Sequence, residues 1–444
     1  MNRTALLILW ILLFIGGQSL RADEPLPGLD DYVVSVMQER QVPGVGIAIV
    51  KDGGVLHSKG YGTTRIDGGE PVTSATPFPV ASITKNFTAT ALAILVDEEK
   101  IAWDDPVVSH LPELRFCDDY RTQHTTIRDL VCHRTGLQRG DLLPCRNDVP
   151  AAEIVRRIRY LQPESGFRET VTYNNLAYYA LGELIGRVSG TSWELFVSER
   201  VLKPLDMQQT STSLQAPDGE PATFIHQFID GETRAVQLSS PRTKIPSPAG
   251  SIRSTADDMA KWMLAAMTAG DNQAALLTAK TRRYMQTIHA SIPVTWKTDG
   301  NPFAADFYGF GLGWEVMNYR GRKLCFHSGS TGTVCAVMPD EGIGVTILTT
   351  KEWSQLPGML MYDVLDALLD GPNATWDQEH WAFWKKAETN PDTTRQRNLK
   401  EAEESRDPKR EPELVPAKFA GQYACDLLGD LRITEVDGRL LLTL

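Results

Sequence analysis

Residues 78–90 read FPVASITKNFTAT, with Ser82 followed three positions later by Lys85 at the head of a run rich in Ala, Leu and Ile. Residues three apart share a helix face, so a helix opening here sets the Lys85 ammonium against the Ser82 hydroxyl. Pro77 and Pro79 fix where that helix begins, because proline is tolerated at a helix start but not inside one. The unpaired N–H groups and the positive dipole end of the first turn then surround the serine. The apolar positions up to Glu99 mark an interior face, and burying an ammonium costs several kcal/mol. Its pKa therefore falls from ~10.4 and the amine becomes able to take a proton. A serine beside such a base is a nucleophile candidate. Alone the spacing is a weak signal, about one chance occurrence in a chain of this length, and the alternative reading is an N-cap serine beside a surface lysine.

The surroundings give the spacing its context. Upstream, Gly28–Gln41 has helical periodicity, and residues 45–62, VGIAIVKDGGVLHSKGYG, form two strand-like runs around an Asp52-Gly53 turn. Downstream come the helical stretch TTIRDLVCHRTGL (125–137) and a helix from Asn175 to Ser189 running on towards Leu202. A Ser254-x-x-Asp257 box precedes ADDMAKWMLAAM, which puts Met259, Trp262, Met263 and Ala266 on one side. Strand patterns return in FYGFGLGWEVM (307–317), RKLCFHSG (322–329) and GTVCAVMPDEGIGVTILTT (332–350), before a helix over Leu356–Leu369. Strands from both ends of the chain with helices between them predict an α/β (α+β) protein. Its antiparallel sheet is flanked by helices and carries a helical subdomain.

The expected domains are a signal peptide over 1–22, a catalytic domain over 23–370, a charged helical linker over 371–416, and the start of a small β domain over 417–444, which stops within a strand pattern. The linker is charged and poor in aliphatic residues. Residues 1–22 carry one arginine, a short apolar run (Ala5–Gly17) and a small residue at Ala22, a secretory pattern that leaves no membrane span after cleavage. A net charge of -11 argues against a phosphate-neutralising surface, so nucleic acid is excluded as a partner. The six cysteines form no Cys-x-x-Cys pair. Cys325 and Cys335 flank a turn between two strands and are the candidate bridge; the other four are unassigned. No metal site or cofactor is expected: His-Glu-x-x-His and a phosphate-cradling glycine loop are both missing.

Two further motifs join the first. In Tyr173-Asn174-Asn175, ahead of a helix, the phenol can shuttle a proton and the Asn175 amide can hold a substrate carbonyl. The bland alternative is a core tyrosine beside a helix-capping asparagine. In CFHSGSTGTVC, a strand end presents His327, Gly329 lets a substrate approach the backbone, and the Ser330 N–H can complement that of Ser82 as an oxyanion hole. A lone histidine in a glycine-rich turn is otherwise a polar turn residue.

Together, Ser82-x-x-Lys85, Tyr173-x-Asn175 and His327-x-Gly329 resemble the serine β-lactamase and penicillin-binding protein superfamily, in its class C-like branch with related esterases and D-amino-acid peptidases. TIRDLVCHRTGL, FVSERVLKPLDM, PAGSIRSTADDMAKWM and YGFGLGWEV extend the resemblance over Leu29–Leu369. It implies a β-lactamase/transpeptidase-like fold. Ser82 would be the acylated nucleophile, Lys85 its buried partner, Tyr173 the proton shuttle, Asn175 an amide-binder, and the Ser82 and Ser330 N–H groups the oxyanion hole. His327 stands where many β-lactamases carry a lysine that meets a substrate carboxylate; this departure favours an ester, amide or D-amino-acid peptide over a β-lactam. The expected partner is a small-molecule or short-peptide substrate. The alternative is a catalytically inactive module that binds peptidoglycan fragments. Oligomeric state is left open by the sequence.

Overall fold

A computed structural model describes residues 26–145, 149–214, 224–229, 232–237, 247–267, 276–294, 305–370, 376 and 416–443. Helix α1 (Leu29–Glu39) leads into the hairpin of β1 (Gly44–Lys51) and β2 (Gly54–Gly62). Asp52 and Gly53 take positive φ values of 51° and 81°, the tight turn that Asp-Gly favours. The short strand β3 (Phe78–Pro79) passes into a 3₁₀ turn over Ala81–Ile83 and then α2 (Thr84–Asp97). A helical region follows, comprising α3 (Val107–His110), α4 (Asp119–His124), α5 (Ile127–Val131), α6 (Ala151–Arg157), α7 (Asn175–Ser189) and α8 (Trp193–Val197). After it come β4 (Phe224–Ile229), β5 (Glu232–Gln237), β6 (Arg253–Ser254), α9 (Ala256–Met267) and α10 (Ala279–Met285). The remaining strands of the main sheet are β7 (Ala290–Ile292), β8 (Tyr308–Phe310), β9 (Glu315–Tyr319), β10 (Arg322–Gly329), β11 (Thr333–Met338) and β12 (Ile343–Thr349), closed by α11 (Leu356–Asp370).

The sheet is antiparallel, in the order β2-β1-β12-β11-β10-β9-β8-β7. β1 pairs with β12 from Val45–Thr349 to Lys51–Ile343, so the amino-terminal hairpin completes a sheet built by the carboxy-terminal strands. Alternation sorts the side chains: Val45, Ile47 and Ile49 pack with the α1 and α11 layer, whereas Ala48 and Val50 join the core under α9. Both faces are covered, which is why β1, β11 and β12 read as apolar runs. The architecture is the mixed fold expected from the sequence.

Several details differ. FYGFGLGWEVM is two short strands separated by a turn at Gly311–Trp314 rather than one. The cap of α9 is Thr255, whose hydroxyl accepts from Asp258 N, while the Ser254 hydroxyl meets Thr210. Cys325 and Cys335 are both free thiols: β10 and β11 set Cys325 opposite Val337 and Cys335 opposite His327, an offset that no bridge spans. Carboxy-terminal β13 (Gly421–Cys425), β14 (Gly429–Val436) and β15 (Arg439–Thr443) form a three-stranded sheet. The leader over 1–22 and nearly all of the 371–416 linker lie outside the described residues. Among those described, no helix is long and apolar enough to cross a membrane.

Candidate active site

The turn before α2 is shaped by its backbone. Ala81 is left-handed, with φ 47°, so the chain leaving β3 swings sharply and Ser82 sits within a 3₁₀ turn rather than at the start of an α-helix. Gly329 explains the placement: a Cβ there would sit 2.5 Å from the Val80 carbonyl oxygen and 3.1 Å from Ala81 Cβ. The close approach this glycine permits is that of the protein's own chain, which brings the end of β10 against Ser82. Gly313, with φ 78°, plays a matching part on the other side, since a Cβ would lie 2.6 Å from Ala89 Cβ on α2.

Lys85 is fully buried. Its Nζ lies 3.1 Å from Ser82 Oγ and donates to the Ala249 carbonyl at 2.7 Å. It sits over the rings of Tyr173 (4.9 Å to the centroid) and Tyr178 (5.2 Å). Burial drives its pKa well below the ordinary lysine value; Asp141 pulls the other way and Arg139 adds to the fall. The 248–252 segment that supplies the Ala249 carbonyl is stitched to α2, with Thr88 Oγ1 donating to Pro248 O at 2.7 Å and Ile252 N donating to Thr84 Oγ1 at 3.0 Å.

Tyr173 shares a hydrogen bond with Ser82. Burial raises the phenol pKa despite that bond, so it stays protonated near neutral pH. Asn174 and Asn175 divide the two roles weighed for them. Asn174 caps α7 by accepting from Ala177 N at 3.0 Å, and Asn175 turns to the cleft and donates to Asp141 Oδ1 at 2.9 Å.

His327 is 2 % exposed. Its Nδ1 donates to the Ser328 carbonyl at 2.9 Å, which makes Nε2 an acceptor; that atom has no partner among the described residues. Burial, and then the neighbouring Lys85, push its pKa down to about 3, so it is neutral. Ser82, Tyr173, Asn175, His327 and Ser330 all line one cleft of about 640 Å³. β9 pairs with β10 only as far as Glu315–Phe326, so the edge of β10 from His327 to Gly329 opens on that side.

Residues without a role in the sequence reading also meet here. His133, left-handed at φ 60°, lies against the Tyr173 ring at 4.3 Å between centroids, and its Nδ1 accepts from Asn174 N at 3.2 Å. Its signal was present in CHRTGL but carried no spacing rule linking it to Tyr173. Arg139 lies over the Tyr173 ring at 5.1 Å and donates to Asp141 at 2.6 Å. Glu315 and Tyr308 complete the cleft wall.

The comparisons with known proteins bear on the family and the fold. A family model described as Beta-lactamase matches residues 29–365. Unguisins hydrolase ungD' of Aspergillus campestris (strain IBT 28561) is 28% identical over 79% of this chain and 67% of its own. Protein flp of Staphylococcus aureus (strain MW2) is 24% identical over 75% of this chain and 64% of its own. The chain thus spans about two thirds of the length of these curated relatives. Among solved structures, the octameric penicillin-binding protein homologue from Pyrococcus abyssi superposes with a TM-score of 0.67 at 25% identity, covering 92% of this chain and 85% of that one. EstCE1, a hydrolase with promiscuous acyltransferase activity, shares the fold with a TM-score of 0.65 at 18% identity, over 78% of this chain and 99% of its own. The match runs through every element that carries the cleft, and the chain belongs to the Beta-lactamase family of serine hydrolases.

Proposed function

We propose that the protein hydrolyses an ester, an amide or a D-amino-acid peptide through an acyl-enzyme on Ser82. One observation carries this reading: the Lys85 amine is fully buried 3.1 Å from Ser82 Oγ, and its hydrogen-bond partners are a neutral hydroxyl and a neutral carbonyl. A lysine so placed discharges and can act as a base.

Ser82 Oγ attacks the substrate carbonyl as its proton passes to Lys85 Nζ. The oxyanion is held by the N–H groups of Ser82 and Ser330, an interaction whose loss typically costs about 3 kcal/mol in the barrier. The Tyr173 phenol gives its proton to the departing alcohol or amine and is resupplied by the Lys85 ammonium. Water then attacks the acyl carbonyl, its proton passing to Lys85 Nζ and from there to Ser82 Oγ as the bond from that oxygen to the acyl group breaks. Asn175 receives the substrate's carbonyl once Asp141 yields its amide. Neutral His327 supplies a hydrogen-bond acceptor and no cation, which disfavours a substrate carboxylate at that point. The leader-like residues 1–22 support export of the enzyme; amino-terminal sequencing of the secreted form should begin after Ala22.

Mass spectrometry after treatment with a fluorophosphonate tests the mechanism. The expected result is one adduct on Ser82 and none on Ser82→Ala, together with loss of ester hydrolysis by at least about 10⁴-fold in that variant. A folded protein that takes up no adduct overturns the proposal in favour of a module that binds peptidoglycan fragments without turnover.

A further inference from the structure

Three carboxylates line the cleft, and they are provided for differently. Asp141 is met by the Arg139 guanidinium at 2.6 Å and by the Asn175 amide at 2.9 Å. Glu352 accepts from the Gln227 amide at 2.7 Å. Glu315 has neither cation nor amide; among the described residues its hydrogen-bond partner is the Tyr308 hydroxyl, and no ion pair reaches it. A carboxylate shut in by protein without a counter-ion is costly to ionise, and a ligand cation offsets that cost.

Its position gives the ligand a direction. Glu315 opposes Phe326 at the point where β9 leaves β10, at the foot of the open edge that runs from His327 to Gly329. One residue along β10, the buried His327 Nε2 is, among the described residues, an acceptor without a donor. Glu315 and His327 both line the cleft that holds Ser82. A substrate carboxylate would meet a lone pair and a second acid here. A primary ammonium supplies three donors and a charge of the right sign.

We propose that Glu315 forms a subsite for a primary ammonium group, so that the preferred ester or amide carries a free amine. This rests on the serine hydrolase reading for its link to turnover, though not for binding itself. Burial lifts the Glu315 pKa to about 7 against the bond from Tyr308, in keeping with an acid that lacks its cation. The groups around it are Tyr308 on β8, Tyr362 on α11 and Tyr173 before α7. All of them are neutral at that pH.

Calorimetric titration of the Ser82→Ala protein with hexylammonium chloride at pH 8 tests the subsite without any need for catalysis. Hexylammonium should bind at least tenfold more tightly than hexanol or hexanoate, and Glu315→Gln in the same background should remove that preference. Tyr308→Phe, which keeps the carboxylate and takes away its internal donor, should preserve or strengthen the preference. Equal binding of the amine by the Glu315→Gln and parent proteins overturns the proposal, as does a preference for hexanoate. If hexylammonium binds through Glu315 while the wild-type protein takes up no fluorophosphonate, the subsite stands and the hydrolase reading falls.

Discussion

Lys85 and Asp129 are both lost to solvent, yet their surroundings differ in kind. Asp129 accepts from Arg168 Nη2 at 2.7 Å, from Thr126 N at 2.9 Å and from Arg134 Nε. Burial alone would raise its pKa, but the Arg168 and Thr126 bonds and Arg134 outweigh burial and hold it below the usual carboxylate range. Lys85 meets a hydroxyl, a carbonyl and two ring faces. Ring faces favour an ammonium by about 0.5–2 kcal/mol, less than the several kcal/mol lost on burial, so desolvation wins. Near-equal burial thus holds one group charged and pushes the other towards its neutral form. The charged group ties α5 to the segment that leads to Tyr173.

The sharpest way to break this contrast is to delete each group and read activity and stability separately. Lys85→Met should lower ester-hydrolysis kcat by about 10³- to 10⁴-fold, the scale of a lost proton acceptor. Its urea midpoint should stay level or rise, because an apolar side chain of similar length replaces an amine that had to discharge on folding. A large loss of stability with activity retained would mean that Lys85 is a structural cation. Asp129→Ala should do the reverse. Urea unfolding should show a loss of about 3 kcal/mol as two guanidinium groups and an N–H lose their acceptor, while kcat per folded molecule stays within a few-fold.

The pH dependence separates the two groups again. The Lys85 pKa lies below its ordinary ~10.4, so the folded protein binds fewer protons than the unfolded chain between those values, and stability rises with pH across that window. Activity should rise over the lower part of the same window as the amine discharges, a limb that Lys85→Met lacks. The Asp129 pKa is depressed below ~3.9, so its contribution is complete above that value and is lost as pH falls through the folded-state pKa. Urea midpoints from pH 3 to 6 should therefore converge for wild type and Asp129→Ala at the acid end. Midpoints that stay parallel would show that Asp129 is not held ionised by folding.

The Lys85 half of this contrast was legible in the sequence and the Asp129 half was not. A spacing of three on an apolar helix carries its own geometry, and β1 announced itself as a strand-like run ending at the Asp52-Gly53 turn. Asp129, Arg134 and Arg168 meet because two left-handed residues, His133 and Arg168, turn the chain back on itself, and positive φ is uncommon at any residue but glycine, histidine's modest preference included. Glu315 escaped for a related reason: its place depends on the residue at which β9 leaves β10, a matter of register. The same dependence undid the Cys325–Cys335 expectation. Ser82 itself was read as an α-helical start, whereas the left-handed Ala81 imposes a 3₁₀ turn.

The smallest effect sharpens the Asp129 side alone. Thr126 and Asp129 form a reciprocal cap on α5: the Thr126 hydroxyl accepts from Asp129 N at 3.2 Å, and the Asp129 carboxylate accepts from Thr126 N at 2.9 Å. Thr126→Ala removes the first bond and leaves the second, so it should cost about 1 kcal/mol in urea unfolding and leave kcat unchanged. In the Asp129→Ala background the α5 start has already lost its carboxylate and both guanidinium ties, so the second substitution should cost measurably less, a coupling of at least about 0.5 kcal/mol. Strict additivity would mean that the cap and the ion pairs stabilise α5 independently. The buried carboxylate would then be two separate devices sharing one residue, rather than a single anchor for the start of α5.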